Sequence, residues 1–439
     1  MNVFIAGLTP PPNMPNMITI SHVLEPIVDG VSKYGTAQGF QVPTDAHPNG
    51  VAVHVKIAPL IADLEGSCKV SGFLAHGATC FCSFCLCTSA KLEDLNLQTW
   101  TLRNGADVRN QANIWLNTTT KSGRNIQAKK TGVRWTPLHR LEYWDPVKHV
   151  VLGFMHNWLE GILKHHLRIL WGIGPDKGDD RDVEDNDQVS DTDVSESASE
   201  LDDLYQESIE AMSAMHSTPS MSPSVSQESS SILSATPTLE NFQPNPYAFD
   251  DEESDEDLDD PDYIAAARTS FNFSKSELVA IRHCISNISL PTWVQRPPVN
   301  LGEASHGNLK AHEYLTLFSV IFPLIIPEFW YLPEPTNLQQ HLISFHHLVS
   351  ATNIVSSFKT SNSKADVYTY HYIQYRTSLQ TLFPHNHSKP NHHYAMHNAA
   401  ILKYWGPLPS LSEFPGERMN GILQKIKTNR RLSKSPITI

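Results

Sequence analysis

The feature that most constrains this chain is a pair of cysteines, Cys82 and Cys85, with two residues between them. Two thiolates at this spacing on a tight turn can bind one metal ion. Five of the six cysteines fall within twenty residues, which favours metal binding in a reducing compartment over a disulfide framework. Cys80 and Cys87 leave open which thiols are the ligands. The pattern is equally compatible with a self-contained site that includes His76, or with no metal.

A second group of metal-binding side chains lies more than three hundred residues downstream, in the segment NHHYAMHNAA. His392 and His397 have four residues between them (H-x4-H). With the two cysteines they would complete a tetrahedral Cys2His2 site, for which zinc is the natural ion. Because the chain has 22 histidines, this pair alone is a weak signal. The neighbouring histidines are alternatives: His385, His387 and His393.

The apolar run at residues 51–62 predicts a strand that is buried in part on both faces. Asp63 follows it directly, at the end of a strand where α/β folds commonly carry their chemistry. Far downstream, Pro415 suits the first turn of a helix, where the helix dipole favours the carboxylate of Glu417. Paired carboxylates hold Mg2+ ions in two-metal phosphoryl-transfer sites. Spacing alone does not single out this pair, since any two acidic residues could be proposed.

The net charge of −13 hides two parts of opposite sign. Residues 176–262 hold 27 of the 46 acidic residues and 2 of the 33 basic ones, which leaves 19 acidic and 31 basic residues elsewhere. The acidic, serine-rich part has too few apolar residues to fold, so we predict that it is disordered. The basic remainder favours a polyanionic partner such as nucleic acid, and is also compatible with an ordinary solvated surface.

Helical patterns dominate the rest of the chain. Apolar spacing predicts helices at Ser21–Val31 and from about residue 150, and Ser274 with Glu277 forms a capping box before another helix. We interpret the three histidines of the helix after residue 150 as structural. No uninterrupted run of eighteen apolar residues occurs, so we expect no membrane span. Further predicted helices lie in 92–135, 309–318, 338–358 and 367–383.

Several motifs in a fixed order resemble the catalytic region of CACTA-type (En/Spm-like) DNA transposases of the fungal type, which are similar to the V(D)J recombinase catalytic core. They cover almost the whole chain apart from the acidic part. The motifs are PLIADLEGSCKVSGF with CSFC after it, GVRWTPLHRLEYWDP (132–146), GFMHNWLEGILKHHLRILWGIG (153–174), HGNLKAHEYLTLFSVIFPL (306–324) and NHHYAMHNAAILKYWGPLPSLSEFPGERMNGILQKIKTN (391–429).

The resemblance implies an α/β fold: a partial RNase H-like core with a large, mostly helical insertion. It implies that Asp63 is the second catalytic aspartate and that Glu417, ahead of Glu313, is the final acid that binds the catalytic Mg2+. It also implies a nuclear protein that acts on transposon DNA ends, with a possible homo-oligomer as the assembly. The implied structural zinc ligands are Cys82, Cys85, His392 and His397.

Two departures from the family pattern modify these expectations. The first catalytic aspartate should precede Asp63 on a core strand, and the sequence offers there only Asp29 and Asp45, neither on a convincing strand. The family's D-x-M-H motif reads Gly153-Phe-Met-His156. We therefore expect a transposase-derived protein that is inactive as it stands. The alternatives are a non-catalytic, zinc-stabilised module that binds DNA or protein, and an unselected gene fragment.

The predicted organisation divides the chain into five segments. The divisions are 1–90, the partial RNase H-like core with the C-x2-C turn; 91–175, the first part of the helical insertion; 176–262, the disordered acidic insert; 263–390, the second part of the helical insertion; and 391–439, the H-x4-H segment with the final catalytic-type helix.

Overall fold

A computed structural model describes residues 15–16, 19–35, 39–174, 271–303, 305, 307–331 and 337–424. Most of these residues are helical, and the strands form two small two-stranded sheets. The acidic segment 176–262, for which the sequence predicts disorder, lies outside the described residues.

The N-terminal part consists of helix α1 (Thr19–Tyr34) and an antiparallel hairpin of strands β1 (Phe40–Thr44) and β2 (His47–Val53). The predicted helix at Ser21–Val31 is confirmed as the central part of α1. Val28 of α1 is fully buried and packs into the smaller of the two main apolar cores; a third cluster has only three buried residues, Leu74, Trp115 and Ala128.

The apolar run at residues 51–62 differs from the single buried strand that we predicted. Its first residues belong to β2, where Val51 and Val53 are each 40% exposed. The chain then leaves the hairpin and forms the short strand β3 (Leu60–Ile61). Pro59 precedes β3 and supplies no backbone N–H, so it cannot extend a hydrogen-bonded ladder from β2 into β3. The prediction of one continuous buried strand is therefore wrong.

Strand β3 pairs in parallel with β4 (Val150–Val151), and this pairing aligns two distant segments of the chain. Between them lie α2 (Leu64–Ser71), α3 (Gly105–Asn117) and α4 (Lys121–Thr131). The smaller core fills the space around these elements; its buried members are Val28, Cys68, Phe73, Val108, Ala112, Val133, Leu138, Leu141, Trp144 and Val150.

Helix α5 follows β4 and forms the centre of the larger core. It is wound as a π-helix in two successive stretches, Met155–Leu163 and His166–Leu170. The sequence predicted a long amphipathic helix here, and the structure confirms the helix with this wider winding. Its buried side chains include Trp158, Leu159, Ile162, Leu163 and Leu167.

The remaining helices pack around α5. The capping box predicted at Ser274 is confirmed: the Ser274 N–H donates to the Glu277 carboxylate at 2.7 Å, and the Glu277 N–H donates to the Ser274 hydroxyl at 3.2 Å. The helices are α6 (Lys275–Asn287), α7 (Ala311–Trp330), α8 (Asn337–Val355), α9 (Asn362–Leu382), α10 (Pro390–Ala395), α11 (Asn398–Trp405) and α12 (Phe414–Gln424).

Helix α7 is, among the described residues, the one helix that is long and apolar enough to cross a membrane. Many of its apolar side chains instead lie in the larger core against α5 and α8. The buried ones are Tyr314, Leu317, Phe318, Ile321, Phe322, Ile326 and Trp330. This packing is that of a core helix.

The described chain resumes close to the point where it breaks off. The backbone N–H of Phe271 donates to the carbonyl of Leu170 at 2.9 Å. Phe271 packs edge to face against both Phe273 and Trp330, and Phe273 stacks on Trp330. The end of α5 and the segment that leads into α6 are therefore neighbours in the fold.

Candidate metal centre and acidic cluster

The two cysteines of the C-x2-C pair lie on a tight turn with both sulfurs directed into the core. The backbone N–H of Phe84 donates to Cys82 Sγ at 3.4 Å, and the N–H of Cys87 donates to Cys85 Sγ at 3.4 Å. Such N–H···S contacts favour negative charge on the sulfur. Cys82 and Cys85 are both buried, with exposures of at most 1%.

The guanidinium of Arg103 donates hydrogen bonds to the backbone of this turn. Its Nε donates to the carbonyl of Cys82 at 2.8 Å and to that of Cys85 at 3.2 Å, and Nη1 donates to the carbonyl of Thr131 at 2.9 Å. Because Arg103 is itself buried, these bonds replace the water that the charge has lost. Arg103 therefore fixes the backbone between the two sulfurs and ties it to the end of α4.

Two histidines meet these sulfurs: His393 in α10, and His397, which is the N-cap of α11. Cys82 Sγ lies 3.5 Å from His397 Nε2, and Cys85 Sγ lies 3.2 Å from His393 Nε2. The two Nε2 atoms are 3.4 Å apart. All four ligand atoms lie within 4.8 Å of one another, and all four residues are buried. We call Cys82, Cys85, His393 and His397 the Cys2His2 cluster.

These separations match the edges of a zinc tetrahedron. Typical Zn–S and Zn–N bond lengths place a sulfur about 3.6 Å from a nitrogen and two nitrogens about 3.3 Å apart when the angles are tetrahedral. The donor set, two sulfurs and two imidazoles, is the one that zinc prefers in closed structural sites. The cluster can therefore hold a zinc ion with little movement, and the ion would then join segments that are 308 and 315 residues apart in sequence.

The protonation states of the cluster depend on its burial. Burial lowers the pKa of His397 to about 3 and also lowers that of His393, so both imidazoles are neutral near pH 7 with a free lone pair. The hydrogen bond with Cys82, together with burial, raises the pKa of the Cys85 thiol to about 12. A divalent cation reverses the second effect, because it stabilises thiolates directly.

Aromatic rings close the site against water. Trp100 stacks on the His393 ring with centroids 4.6 Å apart, and Phe84 stacks on the His397 ring at 5.0 Å. Phe81 meets His393 edge to face at 5.3 Å. These contacts orient both imidazoles and lower the local dielectric constant, which strengthens their interaction with a cation.

His392, which the sequence predicted as a ligand, is not a member of this cluster. Its ring packs perpendicular to that of His165 with centroids 4.7 Å apart, and its Nδ1 accepts the N–H of Lys389 at the start of α10. Residues four apart lie on one face of a helix, whereas residues five apart do not. His393 and His397 therefore face the cysteines together, and the predicted H-x4-H pair is corrected to H-x3-H.

Tyrosines fix the turn that carries these histidines. Tyr372 donates its hydroxyl to the carbonyl of His392 at 3.0 Å, and Tyr368 donates to the carbonyl of Ala395 at 2.8 Å. Tyr394 reaches across to the carbonyl of Phe81 at 2.6 Å. The histidine turn is thus bonded both to α9 and to the cysteine segment.

The predicted catalytic residues Asp63 and Glu417 are not members of the Cys2His2 cluster. Asp63 follows β3 and is the N-cap of α2, where its carboxylate accepts the N–H of Gly66 at 2.5 Å. Glu417 lies in the first turn of α12, as predicted, and its Oε1 is 3.7 Å from His156 Nε2. The negative charge of Asp63 also acts on His156. Glu417 is therefore the direct neighbour of this imidazole, and Asp63 acts on it only through its charge.

Glu413, which the sequence did not predict as a site residue, also lies at the start of α5. It is 5% exposed, and its Oε2 accepts the N–H of Met155 at the start of α5 at 3.0 Å. Its Oε1 has no hydrogen-bond partner. Burial raises the pKa of Glu413. The backbone N–H groups at the start of α5 act in the opposite direction, because they favour the ionised carboxylate, but the effect of burial is larger. We call Asp63, Glu160, Glu413 and Glu417, which surround His156, the acidic cluster.

Gly153 makes room for Glu413, since a Cβ atom at this position would collide with Glu413 Oε1. We expect Gly153→Ala to lower the free energy of unfolding by about 1–3 kcal/mol, the usual cost of overpacking a buried site. Denaturant unfolding measures this change. Gly416→Ala is the matched control, because a Cβ at Gly416 meets nothing within 4 Å and a helical Gly→Ala change is neutral or stabilising. Equal effects of the two substitutions would contradict the placement of Glu413.

His156 is predicted to titrate well above the usual range. The pKa of His156 is raised to about 9, chiefly by its 2.8 Å hydrogen bond to Glu160. Burial lowers the pKa, but the negative charges of Glu413, Glu160 and Asp63 raise it further. Since the folded pKa exceeds the unfolded value near 6.5, the stabilisation is complete below pH 6.5 and is lost as pH rises through about 9. An NMR titration of the imidazole tests this, and Glu160→Gln should lower the measured pKa.

The other acidic residues considered in the sequence lie elsewhere. Asp29 is on α1 and pairs with Arg140 at 2.6 Å, and Asp45 is in the turn between β1 and β2. Glu313 caps the start of α7 by accepting the N–H of Lys310 at 2.6 Å. His76 is not a member of the Cys2His2 cluster.

No protein-family model matches this chain, and no curated protein matches it either.

Proposed function

We propose that this chain is a relative of the CACTA-type DNA transposases in which a zinc ion in the Cys2His2 cluster holds two acidic segments together. The observation that carries the proposal is the placement of two distant motifs at the start of α5: Glu417 Oε1 lies 3.7 Å from His156 Nε2, and Asp63 follows the strand that pairs with β4. The negative charge of Asp63 also contributes to raising the pKa of His156.

The parallel pair β3–β4 supports the idea of an RNase H-like core. Asp63 follows the first of these strands and the Gly153–His156 motif follows the second, so both motifs lie at the same edge of the sheet. This edge, beyond the carboxyl ends of parallel strands, is where α/β folds commonly bind ligands. The zinc, when bound, would supply no chemistry of its own, because all four of its positions are filled by side chains.

We further propose that this chain alone does not cleave DNA. A two-metal centre needs carboxylates that are free to bind and bridge two Mg2+ ions. In this cluster Asp63 caps α2, Glu417 faces His156, and Glu413 accepts a backbone N–H of α5. Among the described residues, neither Asp29 nor Asp45 joins them. These carboxylates are therefore already engaged with protein groups.

A plasmid-nicking assay tests this proposal. The full chain, loaded with zinc, is incubated with supercoiled DNA and either Mg2+ or Mn2+, and the expected result is no nicking above the level of buffer alone. Asp63→Ala is the control, because it removes one candidate metal ligand. Robust metal-dependent nicking that disappears in Asp63→Ala would overturn the proposed inactivity and would support the enzymatic ancestry.

A second function, a zinc-stabilised module that binds DNA without cleaving it, is favoured by a specific surface. Helix α4 presents Lys129 and Lys130 as exposed side chains beside the cysteine turn, and Arg103 links α4 to that turn. This function predicts DNA binding that weakens steeply with salt. Binding should survive Glu417→Ala and should be lost in a Cys82→Ser, Cys85→Ser double variant. Loss of binding in Glu417→Ala would argue against it.

A further inference from the structure

Three histidines lie together on the long helical pair α8–α9, far in sequence from the cysteine turn. His346 and His347 are on α8, and His371 is on α9. The ring centroids of the three are 5.5, 5.8 and 5.1 Å apart. His346 is exposed, while His347 and His371 are half-buried. We call these residues the trihistidine patch.

We propose that the trihistidine patch is a second metal site, which binds a borderline transition-metal ion such as Zn2+, Co2+, Ni2+ or Cu2+ through imidazole nitrogens. Imidazole is the side chain that suits these ions best among nitrogen ligands. Three protein ligands leave a fourth position for water or for another molecule, as in open metal sites. This inference is independent of the transposase proposal.

The spacing of His347 and His371 is that of two imidazoles bound to one ion. Two imidazoles on one ion at a tetrahedral angle have nitrogens about 3.3 Å apart and ring centroids about 5 Å apart. His347 Nδ1 and His371 Nδ1 lie 2.9 Å apart, and their centroids are 5.1 Å apart. In the Cys2His2 cluster the centroids of His393 and His397 are 5.2 Å apart, almost the same value.

The two half-buried histidines are in the chemical form that binds metals. Burial lowers the pKa of both His347 and His371, and the charge of His346 lowers both further. A neutral imidazole offers a lone pair without first losing a proton. The Nδ1–Nδ1 contact at 2.9 Å requires one nitrogen to donate a proton and the other to accept it. A metal ion between them replaces that single hydrogen bond with two ligand bonds.

The third ligand comes from the exposed histidine. The side chain of His346 is at the surface, so its ring can change rotamer at little cost and turn towards the other two. Tyr370 packs against the rings of His347 and His371, with centroids 5.9 and 5.2 Å away, and covers one side of the patch. An ion held there would fasten α8 to α9, in addition to the apolar packing between them.

Cobalt binding to the full chain tests the site. The Cys2His2 cluster is first filled with zinc, and Co2+ is then titrated in while the visible spectrum is recorded. A cobalt ion held by imidazoles gives d–d bands without the thiolate charge-transfer band that a cysteine site would add. We expect one such ion per chain. His347→Gln and His371→Gln should each weaken cobalt binding by more than about 10-fold. Removing a ligand lowers metal affinity more than removing a residue that only hydrogen-bonds to a ligand.

His283→Gln is the control, since His283 is exposed on α6 and is not part of the patch. Circular dichroism and retention of the first zinc ion show whether each variant is folded. Two results would overturn the proposal: no imidazole-type cobalt spectrum in the wild-type chain, or equal affinity in wild type and in folded His347→Gln and His371→Gln. Unchanged affinity in His346→Gln would refute the three-residue assignment.

Discussion

Replacing both Cys82 and Cys85 by serine is expected to lower the free energy of unfolding by at least about 5 kcal/mol, because zinc binding to closed structural sites supplies on the order of 10 kcal/mol. That loss is comparable to the whole stability of a typical domain. Both sulfurs are buried and meet His393 and His397 at 3.2–3.5 Å, so without a metal ion the site leaves buried polar groups poorly paired. A zinc chelator should have the same effect on the wild-type chain.

Thermal unfolding followed by circular dichroism, with the zinc content of each sample, measures this effect. Cys284→Ser is the matched control, because Cys284 is a free cysteine on α6, outside the Cys2His2 cluster. It should retain one zinc ion and a nearly unchanged melting temperature. A cooperative melt that is the same with and without chelator would show that the cluster does not stabilise the fold through a metal.

His393→Gln is expected to weaken zinc binding by more than about 100-fold. Loss of a residue that only hydrogen-bonds to a metal ligand typically weakens binding by about 10- to 100-fold, and loss of a ligand should weaken it more. His393 Nε2 lies 3.2 Å from Cys85 Sγ and 3.4 Å from His397 Nε2, so it supplies one corner of the tetrahedron. The neighbouring substitution His392→Gln should leave zinc affinity within a few-fold of wild type. His392 packs on His165 and caps α10, so its loss should appear as lower stability.

Competition with a chromophoric zinc chelator measures both affinities under the same conditions. The pair is well matched, because the two histidines are adjacent and equally buried. A larger loss of affinity in His392→Gln than in His393→Gln would restore the H-x4-H ligand set that the sequence predicted, and would show that the turn after α10 is wound differently.

The sequence was most informative where signals are local. The capping box at Ser274 and the apolar spacing of α1, α5 and α9 concern residues within a few positions of each other, and these helices formed as predicted. The prediction of one strand at 51–62 was wrong because the extent of a strand depends on its partner strand and, here, on Pro59. The apolar content of the run gives no information about the partner strand.

The candidate site was partly predictable. The thiol pair and His397 were identified from spacing and motif order, and the error at His392 could have been avoided by helical phase: Pro390 suits the first position of a helix, which places His393 and His397 on one face. Glu413 carries no comparable signal. Its role depends on the space left by Gly153, more than two hundred residues away, and only the packed fold reveals that.

The contact between Phe271 and Leu170 has a consequence for how this chain can change over time. The described residues on either side of 175–270 are neighbours, since the backbones of Leu170 and Phe271 are joined by a 2.9 Å hydrogen bond. When the two ends of a segment are held close together, the entropy of closing it grows only slowly with its length, by about 0.6 kcal/mol for each doubling. Insertions or deletions between these two ends are therefore expected to change the free energy of unfolding only slightly.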